Sequence, residues 1–276
     1  MGSRPTSVLI PSEYAARRSA ESQTQREYAQ YWLEEYGTGP DRIRQFTIQP
    51  WLDKWVSERA NGGKVFDFGC GAGSMVELAL SWQPAEYLGI DINDSFLKAA
   101  AAPLPQQPLA SDYPEVRFVK ANFEHPHWSG LIEKGFDVAL SIFVLNELNN
   151  IVRYLSGIRS LAGAARRRKR PLLALVVNHP FRVIQDIVDS HPEPEKSRKY
   201  VAISGYMRST KGLYRFSRGD FSVPIWHYPI GVIVRAVLQS GWTIQRFDEL
   251  TYTDEANEKS KGDSEYPKLL CLLLKA

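Results

Sequence analysis

The residues most able to do chemistry lie in and just after residues 65–73, which have the sequence VFDFGCGAG. An apolar run, predicted to be a buried strand, leads into Gly69, Gly71 and Gly73, and residues 74–82 are predicted to be helical. Glycine permits a tight reversal of the chain and lets a ligand approach the backbone closely. A strand, a glycine turn and a helix in this order are typical of the start of a nucleotide-binding fold.

A carboxylate follows this turn at the end of another predicted strand. Residues 87–91, with the sequence YLGID, are predicted to be that strand, and they end in Asp91. A carboxylate at such a position can accept the hydroxyl hydrogens of a ribose. The turn and Asp91 together therefore predict a nucleoside site, and an ordinary glycine turn without a ligand is the alternative.

The spacing differs from the dinucleotide fingerprint G-x-G-x-x-G/A, because Ser74 occupies the third position. The chain instead has D-x-G-x-G-x-G from Asp67 to Gly73, and LGIDIN follows at residues 88–93. This pattern resembles the cofactor site of class I S-adenosylmethionine-dependent methyltransferases. The resemblance implies an α/β, Rossmann-like class I methyltransferase fold, with a mostly parallel seven-stranded sheet and helices on both faces. It also implies S-adenosyl-L-methionine as the cofactor, S-adenosyl-L-homocysteine as its product, and no metal.

The same resemblance assigns further residues to the cofactor. Residues 39–52 are similar to the segment before the glycine motif in many bacterial small-molecule methyltransferases, so Arg44 is a candidate for the methionine carboxylate; surface solvation is the alternative. Asn122 and Phe123 follow a third predicted strand, where the family contacts adenine; core packing is the alternative for Phe123. The predicted cofactor-binding residues are Tyr28, Arg44, Asp67, Gly69, Cys70, Gly71, Gly73, Asp91, Ile92, Asn122, Phe123 and Phe143.

Other segments must position these residues. Residues 1–12 are predicted to be mobile, residues 12–36 and 93–102 helical, and residues 116–124, 136–148, 171–178, 243–250 and 268–276 strands. The predicted domains are an amino-terminal helical arm or cap over residues 1–50 and a cofactor-binding methyltransferase domain over residues 51–276. A lid insertion of helix and loop, without a clear strand period, is predicted at about residues 180–225.

Composition limits the class of protein. The 276 residues suffice for one large α/β domain with an appendage, and 43% hydrophobic with 24% charged residues is typical of a globular protein. The two cysteines, Cys70 and Cys271, exclude a disulfide framework and a zinc cluster. No segment has the roughly 18 apolar residues of a membrane span, and the amino terminus lacks the pattern of a secretory signal. We expect a cytoplasmic protein without a membrane partner.

The predicted arm carries aromatic residues on one helix face: Tyr28, Tyr31, Trp32 and Tyr36, together with Leu33. This face can pack on the main domain or on a second subunit, or it can cover the cofactor and substrate. Both interpretations stay open. A homo-oligomer formed through the arm is one outcome of the first.

The chemistry of the methyl acceptor depends on residues in the predicted lid. His179 and His227 are candidate bases for a hydroxyl or amine nucleophile, with hydrogen bonding to a loop carbonyl as the alternative. Tyr200, Tyr206 and Trp226 are candidate walls of an aromatic pocket, which could also stabilise the cation formed when a carbon atom is methylated.

Residues 226–242 resemble a segment of bacterial methyltransferases that act on natural products, and C-methyltransferases of prenylated or indole metabolites belong to that group. The expected substrate is a small, largely apolar or aromatic molecule, and the acceptor atom, carbon, oxygen or nitrogen, stays open. The N-P-P-Y type motif of base amine methyltransferases is absent after the fourth predicted strand, where Glu147 either faces the substrate or bonds to backbone amides.

Two other functions are alternatives. The basic run RRRKR at residues 166–170 would suit an RNA-binding protein or an RNA methyltransferase, but a net charge of +3 disfavours a nucleic-acid partner and favours a solvated helix end. An NAD-dependent oxidoreductase would share the glycine turn and Asp91, and Ser74 argues against it.

Overall fold

The computed structural model describes residues 7–9, 23–37, 40–102, 114–163, 170–181, 206–215, 222–256 and 267–276. The strands are β1 (Ser7–Leu9), β2 (Lys64–Phe68), β3 (Glu86–Asp91), β4 (Glu115–Lys120), β5 (Val138–Ile142), β6 (Leu172–Asn178), β7 (Thr210–Arg215), β8 (Ser222–His227), β9 (Thr243–Leu250) and β10 (Leu269–Lys275). The helices are α1 (Gln23–Tyr36), α2 (Gln49–Ala60), α3 (Val76–Ser81), α4 (Asp94–Ala101), α5 (Ile151–Leu161) and α6 (Ile230–Gln239), with a π-helix at Arg44–Ile48 and 3₁₀ turns at Trp128–Leu131 and Leu145–Glu147.

A mixed sheet of eight strands forms the centre, in the order β1-β4-β3-β2-β5-β6-β10-β9. The strands from β1 to β6 pair in parallel, whereas β10 runs antiparallel to both β6 and β9. This arrangement confirms the mostly parallel sheet, with β1 as an additional edge strand. Because β2 lies between β3 and β5, the strand order reverses at β2, and ligands of open α/β sheets bind at such a switch point.

Helices cover both faces of the sheet because the central strands are apolar on both sides. Phe66 and Phe68 of β2 pack with Trp128 and with Tyr154 of α5 on one face. Val65 of the same strand lies on the other face, in a cluster to which α2, α3 and α4 contribute. Alternate residues of β2 thus enter opposite cores, and the strand is fixed in its register.

The amino terminus differs from the prediction at one described segment. Residues Ser7–Leu9 form β1, which pairs in parallel with β4, although residues 1–12 were expected to be mobile. Helix α1 spans Gln23–Tyr36 within the predicted helix 12–36, and residues 12–22 lie outside the described part of the chain. A three-residue strand pairs through backbone groups, and its short sequence SVL carries no periodic signal.

The predicted lid also contains a strand pair that its sequence did not reveal. Strands β7 and β8 form an antiparallel two-stranded sheet, with Thr210 opposite His227. Gly212 and Pro224 interrupt the side-chain alternation that would predict strands, and both residues are tolerated in a ribbon without a third strand.

The domain boundary at residue 50 stays a prediction, and the π-helix Arg44–Ile48 continues directly into α2. Within the described ranges, no helix has the length and apolar character needed to cross a bilayer.

Gly157 of α5 packs so closely against Trp128 that a larger residue at position 157 should destabilise the protein. A Cβ atom at Gly157 would lie 2.4 Å from Trp128 Cζ2, and Trp128 is fully buried. Alanine normally favours a helix over glycine by about 1 kcal/mol. We nevertheless expect Gly157→Ala to reduce the free energy of unfolding by about 1–3 kcal/mol, as overpacking does. Urea unfolding would measure this loss, and the exposed neighbour Ser156→Ala should change stability by less than about 0.5 kcal/mol. A Gly157→Ala protein as stable as wild type would contradict the packing described.

Candidate functional site

A cavity of about 420 Å³ lies at the carboxyl ends of β2, β3 and β5, at the switch point of the sheet. Its volume is within the range of roughly 300–1,000 Å³ that is typical of small-molecule sites. Every predicted cofactor-binding residue except Gly73 lines this cavity. The structure therefore brings together residues that are as far apart in sequence as Tyr28 and Phe143, and no local sequence pattern links them.

The three glycines of the turn have different roles. Gly69 has a φ of 79°, and a Cβ atom there would lie 2.3 Å from Val144 Cγ2. Gly71 has a φ of 53° and open space beside it, so its backbone faces the cavity. Gly73 has a φ of 88° and packs on α4, where a Cβ atom would lie 2.9 Å from Ala100 Cβ. Gly73 does not line the cavity and its small size serves the packing of the turn on α4, so its contact with the cofactor stays a prediction.

Asp91 is held in place by the backbone around it. Its Oδ2 accepts the Gly71 N–H at 2.9 Å, and its Oδ1 accepts the Asn93 N–H at 2.9 Å. The side chain is largely buried and lines the cavity. Two backbone donors thus orient a carboxylate that can only accept further hydrogen bonds, which suits a diol such as that of ribose.

Arg44 brings a buried cation to the same cavity. It forms an ion pair with Asp41, and its guanidinium carbon lies 4.9 Å from the centre of the Phe143 ring and 5.9 Å from that of Trp32. Its Nε atom is buried and has no hydrogen-bond partner among the described residues. A buried donor left unpaired is costly, so this part of the cavity fits an anionic group such as a carboxylate.

Phe143 has an unusual backbone. Its φ of 61° lies in the left-handed region, which a non-glycine residue rarely adopts, and such strain costs on the order of 1–3 kcal/mol. The predicted strand 136–148 ends at Ile142 for this reason, and the Phe143 N–H donates to Val176 O at 2.8 Å. The bend turns the chain into the Leu145–Glu147 turn at the cavity wall.

Another part of the cavity wall is formed by residues that follow β3 and β4. Asn122 Oδ1 accepts the Glu124 N–H at 2.9 Å, which fixes the side-chain amide, and Asn122 also lines the cavity. Ile92 contributes an exposed apolar side chain, whereas Phe123 is buried against Trp128. A polar amide beside apolar side chains suits a flat heterocycle such as adenine.

Two carboxyl groups and one thiol of the site have raised pKa values, and burial is the main cause. Burial raises the pKa of Asp67 to about 7, although the Tyr87 hydroxyl donates to its Oδ2 at 2.8 Å and opposes the shift. Desolvation at the cavity wall raises the pKa of Glu147 to about 7 and the charge of Asp91 adds to this, although the residue as a whole remains exposed. Burial, together with Asp91 and Asp67, holds the pKa of the Cys70 thiol well above its ordinary value. The part of the cavity around these groups, away from Arg44, thus disfavours additional negative charge.

Some lining residues were missed or left undecided in the sequence. Glu147 lines the cavity and accepts a hydrogen bond from the Tyr28 hydroxyl at 3.4 Å, so it is a site residue. Trp32 and Phe96 also line the cavity, and Tyr28 contacts both rings. The spacing of Tyr28 and Trp32 on one helix face was the available signal, and both residues line the cavity, while a covering role over the cofactor stays a prediction.

The candidate acceptor residues lie elsewhere in the described part of the chain. Neither His179 nor His227 lines the cavity: His179 Nε2 lies 2.8 Å from Glu249 Oε1, and His227 Nε2 lies 2.8 Å from Tyr206 O. Burial lowers the pKa of both imidazoles. Trp226 stacks on Tyr228. The contact of these residues with an acceptor stays a prediction, and Tyr200 lies outside the described residues.

The fold and the cavity define a Rossmann-like α/β protein with a cavity at the switch point of its sheet. Comparison with known proteins shows which proteins share this arrangement. Residues 66–164 match a family model described as a methyltransferase domain. Trans-aconitate 2-methyltransferase of Rhodopseudomonas palustris (strain HaA2) is 32% identical over 97 residues, which cover 35% of this chain and 34% of that protein. The match thus spans about a third of the length of that relative.

Solved structures extend the similarity to most of the chain. An S-adenosylmethionine-dependent methyltransferase from Mesorhizobium loti aligns with a TM-score of 0.60 at 20% identity, over 79% of this chain and 93% of that chain. Another from Clostridium acetobutylicum ATCC 824 aligns with a TM-score of 0.53 at 12% identity, over 91% and 98%. The match to the methyltransferase-domain model covers residues 66–164, and the solved structures show that the chain shares their fold. The domain match favours methyl transfer over the oxidoreductase alternative.

The buried Asp67 is expected to make stability depend on pH. An unfolded chain releases an aspartate proton near pH 4, whereas the folded protein keeps it until a pH of about 7. Stability therefore falls as the pH rises through this interval, by up to about 1.4 kcal/mol per pH unit. Asp67→Asn removes this contribution, so its stability relative to wild type should increase from about pH 5 to about pH 8 in urea unfolding. The exposed carboxylate variant Glu77→Gln should show no such trend. A difference between Asp67→Asn and wild type that is constant with pH would contradict the raised pKa.

Proposed function

We propose that the chain binds S-adenosyl-L-methionine in this cavity and transfers its methyl group to a small-molecule acceptor. The observation that carries the proposal is the Asp91 carboxylate, oriented by the Gly71 and Asn93 backbone amides at the cavity wall. That geometry supports a ribose contact. The unpaired Nε of Arg44 in the same cavity supports a second contact, to the methionine carboxylate.

The remaining side chains complete a fit to the cofactor. The Asn122 Oδ1 already accepts a backbone N–H, so its Nδ2 donors suit a ring nitrogen of adenine better than the amino group. Phe143, beneath the Arg44 guanidinium, supplies an aromatic face where a sulfonium would be stabilised. When bound, the cofactor supplies an electrophilic methyl group, and the protein contributes binding, orientation and exclusion of water.

The acceptor is proposed to be small and largely apolar or aromatic. Tyr28, Trp32, Phe96 and Phe143 line the cavity, and together they offer aromatic surface for such a molecule. The curated relative is named for methylation of trans-aconitate, but it matches over about a third of its length, so its substrate is not carried over. A natural-product substrate, a cytoplasmic location and a homo-oligomer stay predictions. Of the basic run 166–170, only Arg170 is described, and it is exposed.

Asp91→Ala is expected to weaken the binding of S-adenosyl-L-homocysteine by about 10–100-fold, because hydrogen bonds to a charged group contribute about 1.5–3 kcal/mol. Asp91→Asn, which keeps an acceptor oxygen without the charge, should lose less. Isothermal titration calorimetry measures the affinities, and Glu77→Gln, an exposed carboxylate on α3, is the matched control that should bind as wild type does. Unchanged affinity in a well-folded Asp91→Ala protein would contradict the ribose contact, and wild-type protein that takes up no ligand would contradict the proposed function.

A further inference from the structure

We propose that the acceptor presents an N–H or O–H group to the cavity, that the Glu147 carboxylate takes its proton, and that the Tyr28 hydroxyl positions this carboxylate. The inference rests on the proposed function and selects a heteroatom acceptor over a carbon one. Its basis is the placement of Glu147 and Tyr28 on the wall of the cavity that would hold the cofactor.

Glu147 enters the cavity from a turn that is fixed on both sides. Asn146 Nδ2 donates to Trp226 O at 2.9 Å, and the Tyr228 hydroxyl donates to Leu148 O at 2.6 Å. The segment of β8 and its following residues therefore clamps the residues before and after Glu147. A carboxylate on a rigid turn, rather than on a free loop, can be held within reach of a reacting group.

The other described carboxylates of the cavity are engaged by donors that would remain in place. Asp91 uses both oxygens for backbone amides. Asp67 accepts from the Tyr87 hydroxyl, and Glu124 Oε1 accepts the Asn149 N–H at 2.6 Å. Glu147 has a long contact of 3.4 Å with a hydroxyl on α1, a group that can exchange its partner when an acceptor enters. Glu147 is therefore the carboxylate best placed to receive a proton.

The reaction balances with this assignment. The lone pair of the acceptor nitrogen or oxygen forms the bond to the methyl carbon, the carbon–sulfur bond breaks, and its electron pair stays on sulfur. The N–H or O–H proton passes to Glu147, from which it leaves to solvent after release of the product. No oxidant or second substrate is required.

The titration of Glu147 takes place among several other groups. Those that line the cavity are Tyr28 on α1, Arg44 on the π-helix, Asp67, Cys70 and Asp91 at the glycine turn, and Glu124 after β4. The negative charge of Asp91 and the loss of water raise the pKa of Glu147, and the Tyr28 hydroxyl bond opposes this. A base that titrates near neutral pH is suited to proton transfer at that pH.

The test uses full-length protein saturated with S-adenosyl-L-homocysteine, and a panel of phenols and arylamines, each paired with its methyl ether or N-methylated counterpart. These probes do not change charge between about pH 6 and about pH 8, since phenols titrate near 10. Calorimetry measures the preference for each unmethylated probe over its counterpart. We expect the preference in wild type to rise roughly ninefold over this range, as the ionised fraction of Glu147 grows from about one tenth to about nine tenths.

Glu147→Gln should show a preference that is independent of pH, whereas the exposed control Glu77→Gln should bind S-adenosyl-L-homocysteine as wild type does and keep the wild-type trend. No preference in wild type, or the same pH trend in Glu147→Gln, would overturn the proposal. In a separate incubation with S-adenosyl-L-methionine in place of S-adenosyl-L-homocysteine, methylation of any panel member at carbon, located by fragmentation in mass spectrometry, would also overturn it. If wild-type protein does not bind S-adenosyl-L-homocysteine at all, the proposed function itself is refuted. This outcome is distinct from a failure of the Glu147 proposal, in which S-adenosyl-L-homocysteine still binds.

Discussion

The hydrogen bond from the Gly71 N–H to Asp91 Oδ2 is the contact on which the site depends. It joins the turn after β2 to the end of β3, so the backbone at Gly71 and the Asp91 carboxylate, which both line the cavity, are fixed relative to each other. Gly69 reinforces this arrangement, because the absence of a side chain lets Val144 pack directly against the turn. The strand order then brings the end of β5 to the same place. The cavity, and the nucleoside site proposed in it, thus follow from the backbone geometry at three adjacent strand ends.

Sequence patterns were informative where the chemistry is local. The glycine spacing, the apolar strands and Asp91 predicted central strands and the part of the cavity lining at the glycine turn, because each signal lies within one strand and the turn after it. The sheet as a whole and Arg44, Asn122 and Phe123 were predicted only through the family resemblance. Strand β1 and the β7–β8 pair were missed, since short ribbons held by backbone pairing lack a side-chain period. The left-handed Phe143 could not be predicted, because the strain is imposed by its surroundings and not by its own residue type.

The placement of Glu147 and Tyr28 shows how distant segments combine. Tyr28 belongs to α1, ahead of the sheet, and Glu147 to the turn after β5, so their contact depends on how the arm packs against α4 through Phe96. Ala29 of the arm is fully buried in the same small cluster. The histidines, which attracted attention as residue types suited to bases, are instead occupied in contacts outside the cavity. Residue type alone favoured the histidines, whereas tertiary packing brings Glu147, and neither histidine, to the cavity wall.

The glycine turn contains a cysteine, Cys70, whose protonation state determines how strong a nucleophile it is. Cys70 is a lining residue of a cavity proposed to hold an alkylating cofactor, and a thiolate there would be a competing nucleophile. Burial and the nearby carboxylates keep this thiol protonated at neutral pH. Since a neutral thiol is a much weaker nucleophile than its anion, the protein can hold a reactive methyl donor against its own cysteine without alkylating itself.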